Sequence, residues 1–215
     1  MKKLVCLAAI AAFVVGCDSS SSGTDSGTPG TDSGATDSGS GDSGMMATPT
    51  CAAYCTTIMA GCTATNAQYG TMEACMGSCA GFPVGTAADT MGNTLGCRSY
   101  HATVAAMAGM ADTHCPHAGP LGAAAGMATC GMNCEGFCAV ALAACTGANE
   151  QYADAAECMT ECAGFMNTTA YNATVTSGDS LACRMYHLSV AAGTDAGAVT
   201  HCPHTTTAST AGTCQ

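Results

Sequence analysis

Six histidines occur in the chain, and all of them fall at matched positions in two halves: His101, His114 and His117 in the first, His187, His201 and His204 in the second. In each half the last two flank a cysteine and a proline as HCPH. The first lies four residues after a cysteine, in CRSYH (Cys97 to His101) or CRMYH (Cys183 to His187). Three imidazoles converging on one point, with a fourth position open, would suit zinc or copper, since both ions accept neutral imidazole nitrogen. A structural role competes with this. A buried histidine beside a disulfide can simply donate to a backbone carbonyl, and loop histidines can interact with helix C-termini. Read as a proline turn around an oxidised cysteine, HCPH gives the structural role the greater weight. Met107 and Met110 add nothing to a copper reading, because Gly193 and Ala196 stand at the matching positions.

Arg98 and Arg184 are the only arginines, one in each of the same five-residue stretches. Each guanidinium could recognise a carboxylate or phosphate on a ligand, or its five donors could satisfy internal carbonyls and an acid. The internal role is favoured, because each repeat has several loop carbonyls to satisfy. The neighbouring Tyr100 and Tyr186 could offer a polar tip over a packed ring. The placement of His101 and His187 four residues after a cysteine on a helix is similar to that of the catalytic histidine in secreted phospholipases A2. In that family an aspartate follows to hold calcium; here Ala102 and Leu188 follow, and no glycine-rich calcium loop precedes, so the activity is not expected. No nucleophile elbow, paired-carboxylate, phosphate-loop or covalent haem motif occurs. The chain therefore reads as a non-enzyme, with zinc or copper the one cofactor the residues could hold.

The elements that must position these residues are marked by cysteines. Of the 18 in the chain, Cys51, Cys55, Cys62, Cys75, Cys79, Cys97, Cys115 and Cys130 match Cys134, Cys138, Cys145, Cys158, Cys162, Cys183, Cys202 and Cys214. Thr63, Asn66, Gln68 and Tyr69 likewise match Thr146, Asn149, Gln151 and Tyr152, so the region is a tandem duplication. The spacing of Cys51/Cys55 and Cys75/Cys79 puts both sulfurs of each pair on one helix face, and the intervening Ala, Met and Leu favour helix over strand. A first helix is expected from Thr50 or Asn133 as N-cap to about Gly61 or Gly147. A second runs from about Thr71 or Asp154 to Gly81 or Gly164. A third begins after GNTL or GDSL and carries the CRSYH or CRMYH stretch.

Antiparallel helices with C-x3-C on each can be bridged twice, Cys51 to Cys79 and Cys55 to Cys75. Geometry then favours Cys62 to Cys97 and Cys115 to Cys130, although eight cysteines allow 105 connectivities. Each repeat has too few aromatics for a thick core, so four bridges, at roughly 3 kcal/mol for a fifteen-residue loop, are the main stabilising contribution expected. The fold class is mainly α: two tandem disulfide-stapled helical-hairpin repeats, 51–130 and 131–215, of about three short helices each.

Residues 1–16 form a basic start followed by a short apolar run, an export signal. The junction Val14-Val15-Gly16-Cys17 resembles the lipobox of bacterial lipoproteins, which implies acylation of Cys17 as the new N-terminus. Residues 17–50 would then be the lipidated cysteine and a Ser/Gly/Thr/Asp linker. The linker cannot bury enough apolar surface to order itself and spans roughly 30 Å as a flexible tether. With Cys6 lost and Cys17 acylated, an even sixteen cysteines remain for disulfides, as an oxidising compartment allows. Cleavage also removes Lys2 and Lys3, leaving two arginines against 15 Asp and Glu. Such a chain has no footprint for nucleic acid, and membrane attachment must come from acyl chains.

The expected function is that of an exported lipoprotein, displayed at the cell envelope, on the outer membrane or cell surface in preference to the inner membrane. Its repeats would act as a surface binding or structural module for an envelope or extracellular protein or polysaccharide. The alternative is a metal-binding protein with one histidine triad per repeat.

Overall fold

The computed structural model describes residues 47–123, 127–209 and 212–215. The export signal, Cys17 and nearly all of the tether lie outside the described residues. The remainder is helical, with no strand among the described residues, and each repeat holds four helices where about three were expected.

In repeat 1, helix α1 (Cys51–Gly61) starts at Thr50, whose hydroxyl accepts from the Ala53 amide at 3.3 Å. Helix α2 (Met72–Ala80) starts at Thr71 in the same way, with Ala74 at 3.1 Å, and α3 (Leu95–Ala105) at Thr94, with Cys97 at 3.1 Å. Each side chain satisfies an otherwise orphaned amide, a contribution of about 1 kcal/mol. Helix α4 (Ala111–Ala118) completes the repeat.

Repeat 2 runs α5 (Asn133–Ala144), α6 (Ala155–Cys162), α7 (Leu181–Gly193) and α8 (Asp195–His201). Asp154, Ser180 and Thr194 cap the last three. Two boundaries differ from expectation. Asn133 is the first residue of α5 and not its cap; the Glu135 carboxylate instead accepts from the Met132 amide at 2.7 Å, while Asn133 bonds to Asn167. The helix ends at Ala144, because Gly147 adopts φ +59° and opens a separate 3-10 turn.

Helices α4 and α8 replace the expected proline turn. Pro116 sits inside α4, and Pro203 follows α8 in a 3-10 turn, Cys202–His204. Proline is tolerated there because each helix is one or two turns long and gives up little of its hydrogen-bond ladder.

The hairpins are stapled as expected, Cys51–Cys79 and Cys55–Cys75 in one repeat, Cys134–Cys162 and Cys138–Cys158 in the other. The remaining pairs differ. Cys62 bonds to Cys115 and Cys97 to Cys130, with Cys145–Cys202 and Cys183–Cys214 matching them. With α4 helical, Cys115 packs against the end of α1, which brings it to Cys62 and leaves Cys97 for the strand of chain that closes the repeat. Cystines make up much of the interior, around Tyr54, Ile58 and Leu95 in repeat 1 and Phe137, Val140 and Leu181 in repeat 2.

The repeats pack on one another through α2, which lies in the groove between α5 and α7. A Cβ on Gly77 would overlap the Ala192 carbonyl, and one on Gly81 would come 2.6 Å from the Ala139 carbonyl oxygen. Close backbone approach therefore requires glycine at both positions.

Candidate metal sites

Each triad forms where a long helix meets a short one. His101 projects from α3, one turn after Cys97, and His114 and His117 project from α4 on either side of Cys115. Cys97 is tied to Cys130 and Cys115 to Cys62, so both helices are fixed in the immediate neighbourhood of the imidazoles. The second site repeats this with His187 on α7, His201 ending α8 and His204 in the following turn. All six predicted histidines are thus brought together, three and three. In each triad one nitrogen per ring can be chosen so that all lie within 4.8 Å of one another.

The hydrogen bonds set the tautomers. His101 Nε2 lies 3.2 Å from the Thr90 carbonyl oxygen, and His187 Nε2 lies 3.1 Å from that of Thr176. A carbonyl only accepts, so Nε2 carries the proton and the neutral ring presents a bare lone pair at Nδ1. That Nδ1 faces Nδ1 of His114 or His201 at 2.8 Å in both repeats. Backbone-anchored imidazoles with the opposite nitrogen left bare are the usual support for a metal ligand.

The third ring carries a separate signal. His117 is 5% exposed, and neither of its ring nitrogens has a hydrogen-bond partner among the described residues. A buried, unsatisfied polar group of this kind costs about 1–3 kcal/mol unless something fills its lone pair. Its ring centroid lies 5.1 Å from that of His101, and His204 lies 4.9 Å from His187.

The residues present fit a transition ion. Two tetrahedral nitrogen ligands at 2.0–2.1 Å would lie about 3.3 Å apart. The observed pair is slightly closer than that, and a nitrogen of the third ring lies within 4.8 Å of both, so the three rings could supply a three-nitrogen set with a fourth position open. Burial lowers the pKa of His101, His117, His187 and His201 from its usual place near 6.5, with the neighbouring imidazoles lowering it further. The rings are thereby held neutral, the form that binds metal. Cys97 and Cys130 lie within the same reach of His101, as do Cys183 and Cys214 of His187, but all four sulfurs are in disulfides and offer no thiolate.

The arginines lie on the helices that carry the first histidine of each triad. Arg98 is fully buried over the Phe82 ring and donates to the carbonyls of Thr94, Gly119 and Pro120, each at 3.3 Å. It clamps the chain leaving α4 and has no surface to offer a soluble ligand. Arg184 packs over Phe165 and donates to Ser180 and Thr206, with an ion pair to Asp179 at 2.9 Å.

Sequence reasoning missed Thr90 and Thr176, which orient the first histidine through their backbone and so leave no side-chain signature. It also missed α4 and α8, whose HCPH segments resemble turns.

The profile of the BfoA family C-terminal domain matches the chain twice in tandem, over residues 31–133 and 129–215. The first match begins inside the Ser/Gly/Thr/Asp segment. No curated protein and no solved structure matches the chain. Two successive matches that fall on the two cysteine-stapled repeats and together take in most of the sequence establish that the chain belongs to the BfoA family, with its C-terminal domain present in duplicate.

Proposed function

We propose that this protein is an exported lipoprotein, anchored to the cell envelope through Cys17, which holds one zinc or copper ion in each of its two repeats. The observation that carries the metal reading is the duplicated triad. In both copies a carbonyl-anchored imidazole turns a bare Nδ1 toward a second Nδ1 at 2.8 Å, and in the first copy a third imidazole is buried with no hydrogen-bond partner. The lipid reading rests on the lipobox-like junction before Cys17. No described helix is long and apolar enough to cross a membrane. Presentation on a tether suits contact with an envelope or extracellular protein or polysaccharide.

The experiment is metal analysis of residues 45–215 exported to an oxidising compartment. About two equivalents of zinc or copper are expected, lost in the His101→Ala, His187→Ala double variant while the helical circular dichroism persists. A metal-free protein whose variant only melts at lower temperature would instead favour a second reading, in which the paired imidazoles clasp α3 to α4 and α7 to α8 by their own hydrogen bond. Radiolabelled palmitate incorporation, abolished by Cys17→Ser, checks the anchor independently.

A further inference from the structure

The two repeats are alike in topology but differ in what covers the groove between their first and third helices. In repeat 2 that groove, between α5 and α7, is filled by α2 of repeat 1. There Gly81 at the end of α2 approaches Ala139 and Ala143 of α5, and Gly77 and the Ala74 amide approach Ala192 and Gly193 of α7, while the neighbouring Gly136 is covered by Pro120 and Leu121 of repeat 1. Val140, Met185 and Ser189 on the same two helices are buried. In repeat 1 the corresponding groove, between α1 and α3, is uncovered among the described residues. It has a volume of ≈ 490 Å³ and is lined by Ala53, Thr57, Ser99, Tyr100, Thr103 and Met107 among others. Tyr100 is 44% and Met107 57% exposed.

We propose that this groove is a docking site for a helix of the α2 type: one with small residues at the positions of Ala74, Gly77, Ser78 and Gly81, supplied by another repeat module of this family. That occupant has its precedent inside the chain itself, where α2 packs on α5 and α7. The same groove, built by the same two helices one repeat later, takes such a helix, and the repeat 1 groove keeps the shape needed. Thr57 replaces Val140 with nearly equal volume, and Ser99 is smaller than Met185. Met107 stands where repeat 2 has Gly193, but it is unbranched, flexible and largely in solvent, so it can swing aside and pack along an incoming helix.

A second copy of this chain is barred from the same mode. The helix it would offer is α6, the counterpart of α2, and α6 carries Thr160 where α2 has Gly77, Glu161 where it has the buried Ser78, and Glu157 where it has the buried Ala74. A Cβ at the Gly77 position meets backbone, and two carboxylates would be desolvated without a cation. Glu161 is also engaged elsewhere, accepting from the Thr207 amide and hydroxyl. Repeat 1 thus has an acceptor groove, and repeat 2 has a donor helix that does not fit it. An open head-to-tail polymer is avoided while the groove stays available to another module.

The test gives the full exported chain a fitting donor helix. A donor chain carries Glu157→Ala, Thr160→Gly and Glu161→Ser, with its own groove blocked by Thr103→Arg. Mixed with the unaltered chain, it should form a 1:1 complex in sedimentation velocity, and it should form none with a Thr103→Arg acceptor. The unaltered chain alone should remain monomeric. A second donor that keeps Glu161 and its bonds to Thr207, altered only at Glu157 and Thr160, covers the case in which the first does not fold. The proposal is overturned if the folded donor stays apart from the unaltered chain at concentrations on the order of 100 μM, where a weak contact of standard size still registers. It is equally overturned if the complex forms regardless of Thr103→Arg, or if the unaltered chain self-associates through this groove.

Discussion

The histidine triads of the two repeats are near duplicates, whereas the outer faces of the helices that carry them have diverged. His101 and His187 make the same pair of bonds, one to a loop carbonyl and one to a second imidazole, at distances that agree within 0.1 Å. On the same helices, Ser99 and Thr103 line a groove uncovered among the described residues, while their counterparts Met185 and Ser189 are buried on the helix against which α2 packs. The features present twice are those a repeat needs by itself: staples, arginine clamp and triad. The features present once belong to the joint between repeats.

The arginines give the sharpest way to break this likeness. Arg98→Ala leaves three interior carbonyls without a donor and should cost about 3–5 kcal/mol in a denaturant titration. Arg184→Ala strips two carbonyls and an Asp179 that is itself 54% exposed and can turn to water, so about 2–3 kcal/mol is expected. Equal losses would mean that the two clamps are equivalent despite their different partners.

The joint comes next. Gly77→Ala places a methyl group against the Ala192 carbonyl and should cost about 1–3 kcal/mol through overpacking, in spite of alanine's better helix propensity. Its counterpart Thr160→Ala, exposed on α6, should stay within about 0.5 kcal/mol. If both were neutral, the close approach of α2 to α7 would not be what joins the repeats.

The smallest expected effect is that of pH on the metal-free protein. Burial depresses the pKa of His101 and His117 in one repeat and of His187 and His201 in the other. Below about pH 6.5 the unfolded chain takes up protons at these rings that the folded chain resists. Stability should therefore be full above that value and fall as the solution is acidified. Thermal melts at pH 7 and pH 5 should show a lower midpoint at pH 5. Removing one triad's pair by His101→Phe and His117→Phe should reduce that slope, and an unchanged slope would place the titration elsewhere.

Much of the scaffold was legible because helix geometry is written locally. Cysteines four apart set one face of α1 and α2, and Thr50, Thr71, Thr94, Asp154 and Ser180 marked helix starts that the structure uses as caps. The six histidines stood out because the duplication repeats them. What could not be read locally was the partner of each remaining cysteine. A turn at HCPH gives Cys115 no route to Cys62, whereas the helix α4 carries it there. Nor did the sequence reveal which copy of a face would be covered: Gly77 against Thr160 is a visible difference, but only the packing of α2 on α7 gives it a direction.

Whether the triads hold metal is decided by anomalous diffraction at the zinc and copper edges from crystals of the exported protein prepared with metal present. Two peaks are predicted, one in each triad, each about 2.0–2.1 Å from three imidazole nitrogens. Density showing both triads without an anomalous peak, with the Nδ1 pairs still joined by their 2.8 Å hydrogen bond, would mean that the triads are structural clasps and hold no metal.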